Sequence, residues 1–96
     1  MTPMTPGESI VAERLQRAGL LELAIDVARR NYVDLVDVVG RDRRRPAAKA
    51  RREFWGLIRW TLGLSYPHIA KLCSVDHTTV LAGVHLRERE LEREAA

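Results

Sequence analysis

Four consecutive polar residues, Asp76-His77-Thr78-Thr79, open an otherwise apolar stretch and carry groups that can contact nucleic-acid bases. A carboxylate accepts a hydrogen bond from the cytosine amino group, and a threonine methyl packs against the thymine methyl. Asp76 can also cap a helix that begins here, which would leave Thr78 and Thr79 exposed on its first turn. A plainer interpretation stays open, in which Asp76 only caps the helix and the threonines only cover its surface.

The residues on either side predict a helix, a tight turn and a second helix. Ser65 is suited to cap the first helix, Tyr66–Cys73, and Pro67 suits its first turn. Ser74-Val75-Asp76 would form the turn, and the second helix would cover His77–Arg93. Apolar residues at positions that would join the two helices are Ile69, Leu72, Val75, Val80 and Val84. This is the pattern of a helix-turn-helix, whose second helix enters the DNA major groove.

Apolar residues at helical spacing predict four further helices upstream of this motif. Their expected bounds are Glu8–Ala18, Leu20–Asn31, a short Tyr32–Val39 and Ala47–Leu62. Met1–Gly7 is expected to be a flexible tail because prolines and a glycine resist helix formation. The chain therefore predicts one all-α domain over residues 8–94, a small bundle of five to six helices that contains a helix-turn-helix.

Positive charge is concentrated in one segment of the chain. The 96 residues have a net charge of +3, yet residues 41–52 alone carry +6, so the remainder carries −3. The basic residues of this segment are Arg41, Arg43, Arg44, Arg45, Lys49, Arg51 and Arg52, against the single acid Asp42. A basic stripe on a near-neutral body is typical of a nucleic-acid-binding protein, although a solvated charged loop would look similar.

The cysteine content and the lack of long apolar runs indicate where in the cell the protein is expected. Cys73 is the only cysteine, so an internal disulfide is impossible and a reducing compartment is expected. The sequence has no apolar run of about 20 residues and no pattern of a secretory signal peptide near its start. We therefore expect a cytoplasmic protein, associated with the bacterial nucleoid if it binds DNA.

The run Asp76-His77-Thr78-Thr79-Val80-Leu81 resembles the signature of the C-terminal duplex-binding domain of the bacterial replication initiator DnaA. The resemblance extends from about Leu20 to Arg93. Over that span both have a helix, a short apolar segment, a basic loop, a long amphipathic helix and the helix-turn-helix. It implies a DnaA C-terminal-like fold and binding to sites related to DnaA boxes, with a role in regulating replication or transcription.

The resemblance also implies roles for five arginines. In that family an arginine of the basic loop enters the minor groove, and the matching residue here is Arg43. Arginines that grip phosphates in the family match Arg45, Arg51 and Arg52. Arg59 lies where the family has another basic residue facing DNA.

Further family contacts fall on the helix-turn-helix itself. Those made by the turn before the first helix would fall on Ser65-Tyr66-Pro67. Base contacts in the major groove would fall on Asp76, His77 and Thr78, and Thr79 would contact the DNA backbone.

The sequence departs from the family pattern at two places. The family has Gly-Gly-Arg before its Asp-His, whereas Ser74-Val75 precede Asp76 here, which makes the turn one residue shorter and removes an arginine. The angle of the second helix and the preferred bases are therefore open. The family's His-Ala after Thr-Val-Leu is replaced by Ala82-Gly83. Gly83 costs up to about 1 kcal/mol in a helix and is expected to permit close packing.

Catalysis and metal binding are not expected. The sequence has no Gly-x-x-x-x-Gly-Lys-Ser/Thr motif of the kind that a DnaA ATPase module carries, so we expect a stand-alone duplex-binding protein rather than an initiator. Asp76-His77 could pose as a catalytic dyad, but no nucleophile accompanies it. Cys73 and three scattered histidines lack the paired spacing of a zinc site, and no cofactor is expected.

The main alternative is a protein-interaction adapter on a helix-turn-helix scaffold, which would recruit or block a replication or transcription partner. Trp55 and Trp60 lie at the margin of the apolar stripe of the long helix and could contact a protein partner. We expect instead that both pack beneath the additional N-terminal helix. That helix could also mediate self-association.

Overall fold

Six helices make up the regular structure of this protein in the computed structural model, which describes residues 3–41 and 43–95. They are α1 (Pro6–Arg17), α2 (Leu21–Arg30), α3 (Leu35–Val39), α4 (Arg45–Leu62), α5 (Tyr66–Cys73) and α6 (His77–Ala95). The described residues contain no β-strand. The predicted all-α bundle is therefore confirmed.

The N-terminal helix begins earlier than expected. Thr5 accepts a hydrogen bond from the Glu8 amide (3.2 Å), and the Glu8 carboxylate accepts one from the Thr5 amide (2.8 Å). This capping box, with Pro6 in the first turn, outweighs the low helix propensity of Pro6 and Gly7. The expected flexible tail is thus wrong for residues 5–7, and its first two residues lie outside the described ranges.

The long helix α4 lies at the centre of the bundle and packs against α2, α3, α5 and α6. Its Phe54 and Ile58 are fully buried, together with Leu15 of α1 and Val27 of α2. Ion pairs reinforce its contact with α6: Arg52 to Glu90 at 3.2 Å, and Arg87 to Glu53 at 3.5 Å. The core and these ion pairs therefore hold α6, whose first turn is polar, against α4.

The two tryptophans of α4 have different surroundings. Trp55 is buried, with its ring against Gly83 of α6, where an added Cβ atom would lie 2.8 Å from the indole. Trp60 is 45% exposed and lies over Gly56 of its own helix. The expectation that both tryptophans pack beneath the N-terminal helix is therefore wrong. Gly83 is a close-approach position as expected.

The helix-turn-helix forms with the predicted caps: α5 has the predicted bounds, whereas α6 begins at His77 as predicted but continues past the expected end at Arg93 to Ala95. The Ser65 hydroxyl accepts a hydrogen bond from the His68 amide at the start of α5. Ser74 ends α5 in the left-handed conformation (φ 56°, ψ 42°), and the Val75 amide donates to the Ala70 carbonyl. Ile69, Val80 and Val84 are fully buried between the helices, as the apolar pattern predicted.

The helix α1 packs on α2, α3 and α5, and so lies beside the first helix of the helix-turn-helix. Within the described residues, no helix has both the length and the apolar character needed to cross a membrane.

Candidate nucleic-acid interface

The first turn of α6 presents the polar residues that the sequence singled out. Asp76, His77, Thr78 and Thr79 are all exposed. The Asp76 carboxylate accepts a hydrogen bond from the Thr78 amide at 3.1 Å, so it caps the helix as predicted. Hydrogen bonds from the Thr78 amide and side chain lower the pKa of Asp76 below its ordinary value. The neighbouring His77 Nδ1 lies 3.4 Å from the same carboxylate oxygen.

A cleft of about 540 Å³ separates this turn from the basic loop. One wall comes from the loop and the start of α4, and the other from the turn and the start of α6. The lining residues are Gly40, Arg41, Arg43, Ala48, Arg51, Arg52, Trp55, Ser74, Val75, Asp76, Thr79 and Gly83. Arg41 and Arg43 therefore share one open depression with Asp76 and Thr79, which lie more than thirty residues further along the chain.

The arginines of the basic loop differ in their relation to the cleft, and Arg45 is not among the residues that line it. Arg43 is exposed and lines the cleft. Arg45 is exposed at the first position of α4. The Arg41 guanidinium instead donates to the Ser74 carbonyl at 2.8 Å, which ties the loop to the turn of the helix-turn-helix. Arg43 and Arg45 are therefore both accessible to solvent, whereas the Arg41 guanidinium is bonded to the turn.

Arg51 does not fit the phosphate contact that the resemblance implied. Its side chain is buried, with 9% of the residue exposed. Its guanidinium donates to the carbonyl oxygens of Gly40 (2.5 Å) and Asp37 (3.2 Å) at the end of α3. Because the α3 terminus leaves carbonyl groups without partners inside the helix, Arg51 satisfies them and anchors α3 to α4. We correct its expected role from DNA contact to structural anchor.

Arg52 has an intermediate position. Its side chain is 18% exposed and is paired with Glu90 of α6, yet it also lines the cleft. A phosphate entering the cleft would have to compete with this carboxylate. We therefore expect Arg52 to add positive charge to the cleft rather than to bind a phosphate directly.

The predicted contacts before α5 form a separate group. Ser65 and Pro67 are exposed, and Tyr66 is half-buried. The Arg59 guanidinium lies over the Tyr66 ring, 4.8 Å from its centroid, and donates to the Leu64 carbonyl at 3.3 Å. The Tyr66 ring also meets His85 of α6 edge-on, with the ring centroids 6.4 Å apart.

These contacts define the exposed face of α6. At about 100° per residue, His85 lies about 200° around the helix from Gly83, so Tyr66 and the cleft flank α6 on opposite sides. The exposed Thr78 lies about 20° from His85 on this wheel, and the exposed Ala82, one turn later, lies between the two flanks. The sequence analysis did not single out Ala82, although its spacing of four residues from Thr78 places it on the same side of the helix.

A second residue that the sequence did not single out is Arg14 of α1. Its guanidinium donates to the Lys71 carbonyl (2.9 Å) and to the Ser74 hydroxyl (2.8 Å). Lys71 and Ser74 follow Arg14 by 57 and 60 residues. No sequence pattern links residues so far apart, so only the fold reveals these contacts.

Other chemistry has little support in the described ranges. They contain no cluster of three or more His, Cys, Asp or Glu side chains that could hold a metal ion. Cys73 is buried. Burial raises the pKa of its thiol to about 11, an effect that the nearby Trp55 indole and Arg14 charge only partly offset.

Comparisons with known proteins identify no relative of this chain. No protein-family model, curated protein or solved structure matches it significantly.

Proposed function

We propose that the protein binds double-stranded DNA with a sequence preference, through the α6 N-terminus and the basic loop. The observation that carries the proposal is the cleft, because it sets Arg43 opposite Asp76 and Thr79. A signature of six residues can arise by chance. The cleft is independent support for the proposal, because the arginine loop forms one side of it and the exposed polar start of α6 forms the other.

The cleft suggests how a duplex would lie. The start of α6 would enter the major groove, where His77 and Thr78 contact base edges. Arg43 would enter the adjacent minor groove, and the DNA strand between the two grooves would pass over the cleft. Arg45 and the charge of Arg52 would favour that strand electrostatically, and the Thr79 hydroxyl is placed to contact its backbone.

The likeness of the signature to DnaA narrows the proposal. We propose that the chain has a DnaA C-terminal-like domain that occupies DnaA-box-like sites on the bacterial nucleoid and thereby regulates replication or transcription. The exposed Asp76-His77-Thr78-Thr79 turn supports this, since the residues of the signature are available for contact. The shorter turn before Asp76 leaves the preferred sequence to experiment.

A protein adapter is the second candidate function. The observation that favours it is the partial exposure of two apolar side chains at the C-terminal end of α4, Trp60 (45%) and Leu62 (52%). An adapter requires neither the exposed Arg43 nor the exposed threonines of α6. DNA binding therefore accounts for more of the surface.

The test is a salt series of binding to a DnaA-box duplex and a scrambled duplex. Wild-type protein should bind both at low salt, with affinity falling as salt rises. Arg45→Ala should reduce the slope of log Kd against log salt by about 0.9, the value for one phosphate contact. Arg93→Ala is the charge-matched control, because Arg93 is exposed about 24 Å along α6 from His77.

Two outcomes would count against the proposal. An unchanged slope for Arg45→Ala would make the proposed orientation of the duplex wrong. Absence of binding to either duplex at low salt would favour the adapter.

A further inference from the structure

We propose that α1 is a positioning element for the DNA-contacting helix, and that Arg14 is the residue through which it determines sequence preference. The inference rests on the proposed function. It assigns a role to the one helix that the likeness to DnaA leaves unexplained.

Arg14 contacts Ser74, which is the only described residue of the helix-turn-helix with a positive φ angle. Ser74 adopts the left-handed conformation, which residues other than glycine adopt infrequently. Here two guanidinium groups hold it. Arg14 donates to its hydroxyl and to the Lys71 carbonyl, and Arg41 donates to its carbonyl.

The position of Ser74 decides the position of α6. Only Val75 and Asp76 separate it from the first residue of α6, so a change in the Ser74 backbone angles would displace the first turn as a unit. Base discrimination depends on donor and acceptor geometry at the groove edges. Loss of the hydrogen bonds that hold Ser74 should therefore reduce sequence preference more than it reduces the affinity for DNA of any sequence.

The hydrogen bonds of Arg14 separate this role from a phosphate contact. Arg14 is exposed, yet its Nη1 atom is committed to two oxygen atoms, the Ser74 hydroxyl in the turn and the Lys71 carbonyl in the last turn of α5. Arg17, one turn later on α1, is also exposed and is paired with Glu13 at 2.6 Å. The two arginines carry the same charge on the same helix, and only Arg14 is bonded to the turn. Arg17 is therefore the matched control.

The experiment compares full-length wild-type protein with Arg14→Ala and Arg17→Ala on two duplexes, one selected from a random pool and one scrambled. Arg14→Ala should lower the ratio of the two affinities by about tenfold, the discrimination carried by one base contact. Its salt slope on the scrambled duplex should equal that of wild type, and Arg17→Ala should change neither quantity. An unchanged ratio for Arg14→Ala would overturn the inference. Equal weakening on both duplexes with a reduced slope would also overturn it, because Arg14 would then be a phosphate contact.

Hydrogen exchange separates failure of the inference from failure of the proposed function. If wild-type protein binds neither duplex, the proposed function fails, and the role of Arg14 is decided by the amides of residues 75–80. Faster exchange there in Arg14→Ala, with Arg17→Ala like wild type, would support positioning of α6 by α1. Equal exchange in all three proteins would overturn it.

Discussion

The arginines of residues 41–52 differ in their neighbours, and these neighbours decide what each side chain can do. Arg43 faces solvent at the cleft, Arg41 holds the turn, and Arg51 is buried against backbone carbonyls. Residue type and spacing alone cannot separate these roles, because all three are cations in one short segment. Their separate roles follow from where α3 ends relative to α4.

Arg51→Ala should destabilise the fold without specifically weakening DNA binding. The substitution leaves the Asp37 and Gly40 carbonyls without the guanidinium, and an unsatisfied buried acceptor costs about 1–3 kcal/mol. Urea denaturation of Arg51→Ala and the exposed control Arg45→Ala measures this free energy of unfolding. If Arg51→Ala left stability unchanged and reduced the salt dependence of DNA binding, Arg51 would be a phosphate contact, as the family likeness implied.

Cys73 should be protected from thiol reagents in the native protein. Because burial raises its pKa to about 11, the neutral thiol is the form that the folded state favours. Its contribution to stability is fully present below 9.0, the ordinary pKa of a cysteine thiol, and is lost as the pH rises through about 11. Alkylation near pH 8 should be slow in buffer and fast in urea, and Cys73→Ala should lose less stability than wild type between pH 9 and 11. Rapid alkylation of the native protein would contradict this account.

The crossing of α4 and α6 is the element-scale feature that sets the depth of the cleft. Trp55 fills the space left by the missing side chain at Gly83. Both Trp55 and Gly83 also line the cleft. A wider crossing would move the first turn of α6 away from the basic loop.

Gly83→Ala should destabilise the protein even though alanine is the better helix former. The added Cβ would lie 2.8 Å from the buried Trp55 ring, and overpacking of this kind costs about 1–3 kcal/mol. The gain in helix propensity is about 1 kcal/mol, so we expect a small net loss in the free energy of unfolding. Thermal or urea unfolding measures it.

Gly56→Ala is the matched control for this crossing. Its added Cβ would lie 3.0 Å from the far end of the partly exposed Trp60 ring, a side chain that can move, and 3.5 Å from the Arg87 Cγ atom, which is an ordinary van der Waals contact. Gly56→Ala should therefore be neutral or stabilising by up to about 1 kcal/mol. Equal stabilisation by both substitutions would show that α4 and α6 are not closely packed at Gly83.

Local sequence signals predicted most of these elements. Ser65 caps α5 as predicted, and Asn31 lies at the end of α2. The Thr5–Glu8 capping box is equally local, but the prediction considered only the prolines and the glycine of this segment. The surroundings of Trp55 and Trp60 were not predictable, since helix periodicity gives a buried face without saying which helix covers it.

At the scale of the whole molecule, the candidate site joins parts of the chain that are distant in sequence. The exposed turn at the start of α6 was predictable, because cap, polar residues and apolar spacing all lie within a few residues of one another. The cleft and the bond from Arg14 to the turn were not. They arise from packing of α1 and α4 around the helix-turn-helix, which depends on contacts between residues far apart in the chain.

Selection of duplexes from a random pool tests the central claim most directly, when it is followed by affinity measurements on the enriched, DnaA-box and scrambled duplexes. We predict that wild-type protein enriches one motif, and that His77→Ala or Thr78→Ala lowers the preference for it by about tenfold while binding to the scrambled duplex persists. Enrichment of no motif, or preference unaffected by both substitutions, would contradict base contact by the start of α6.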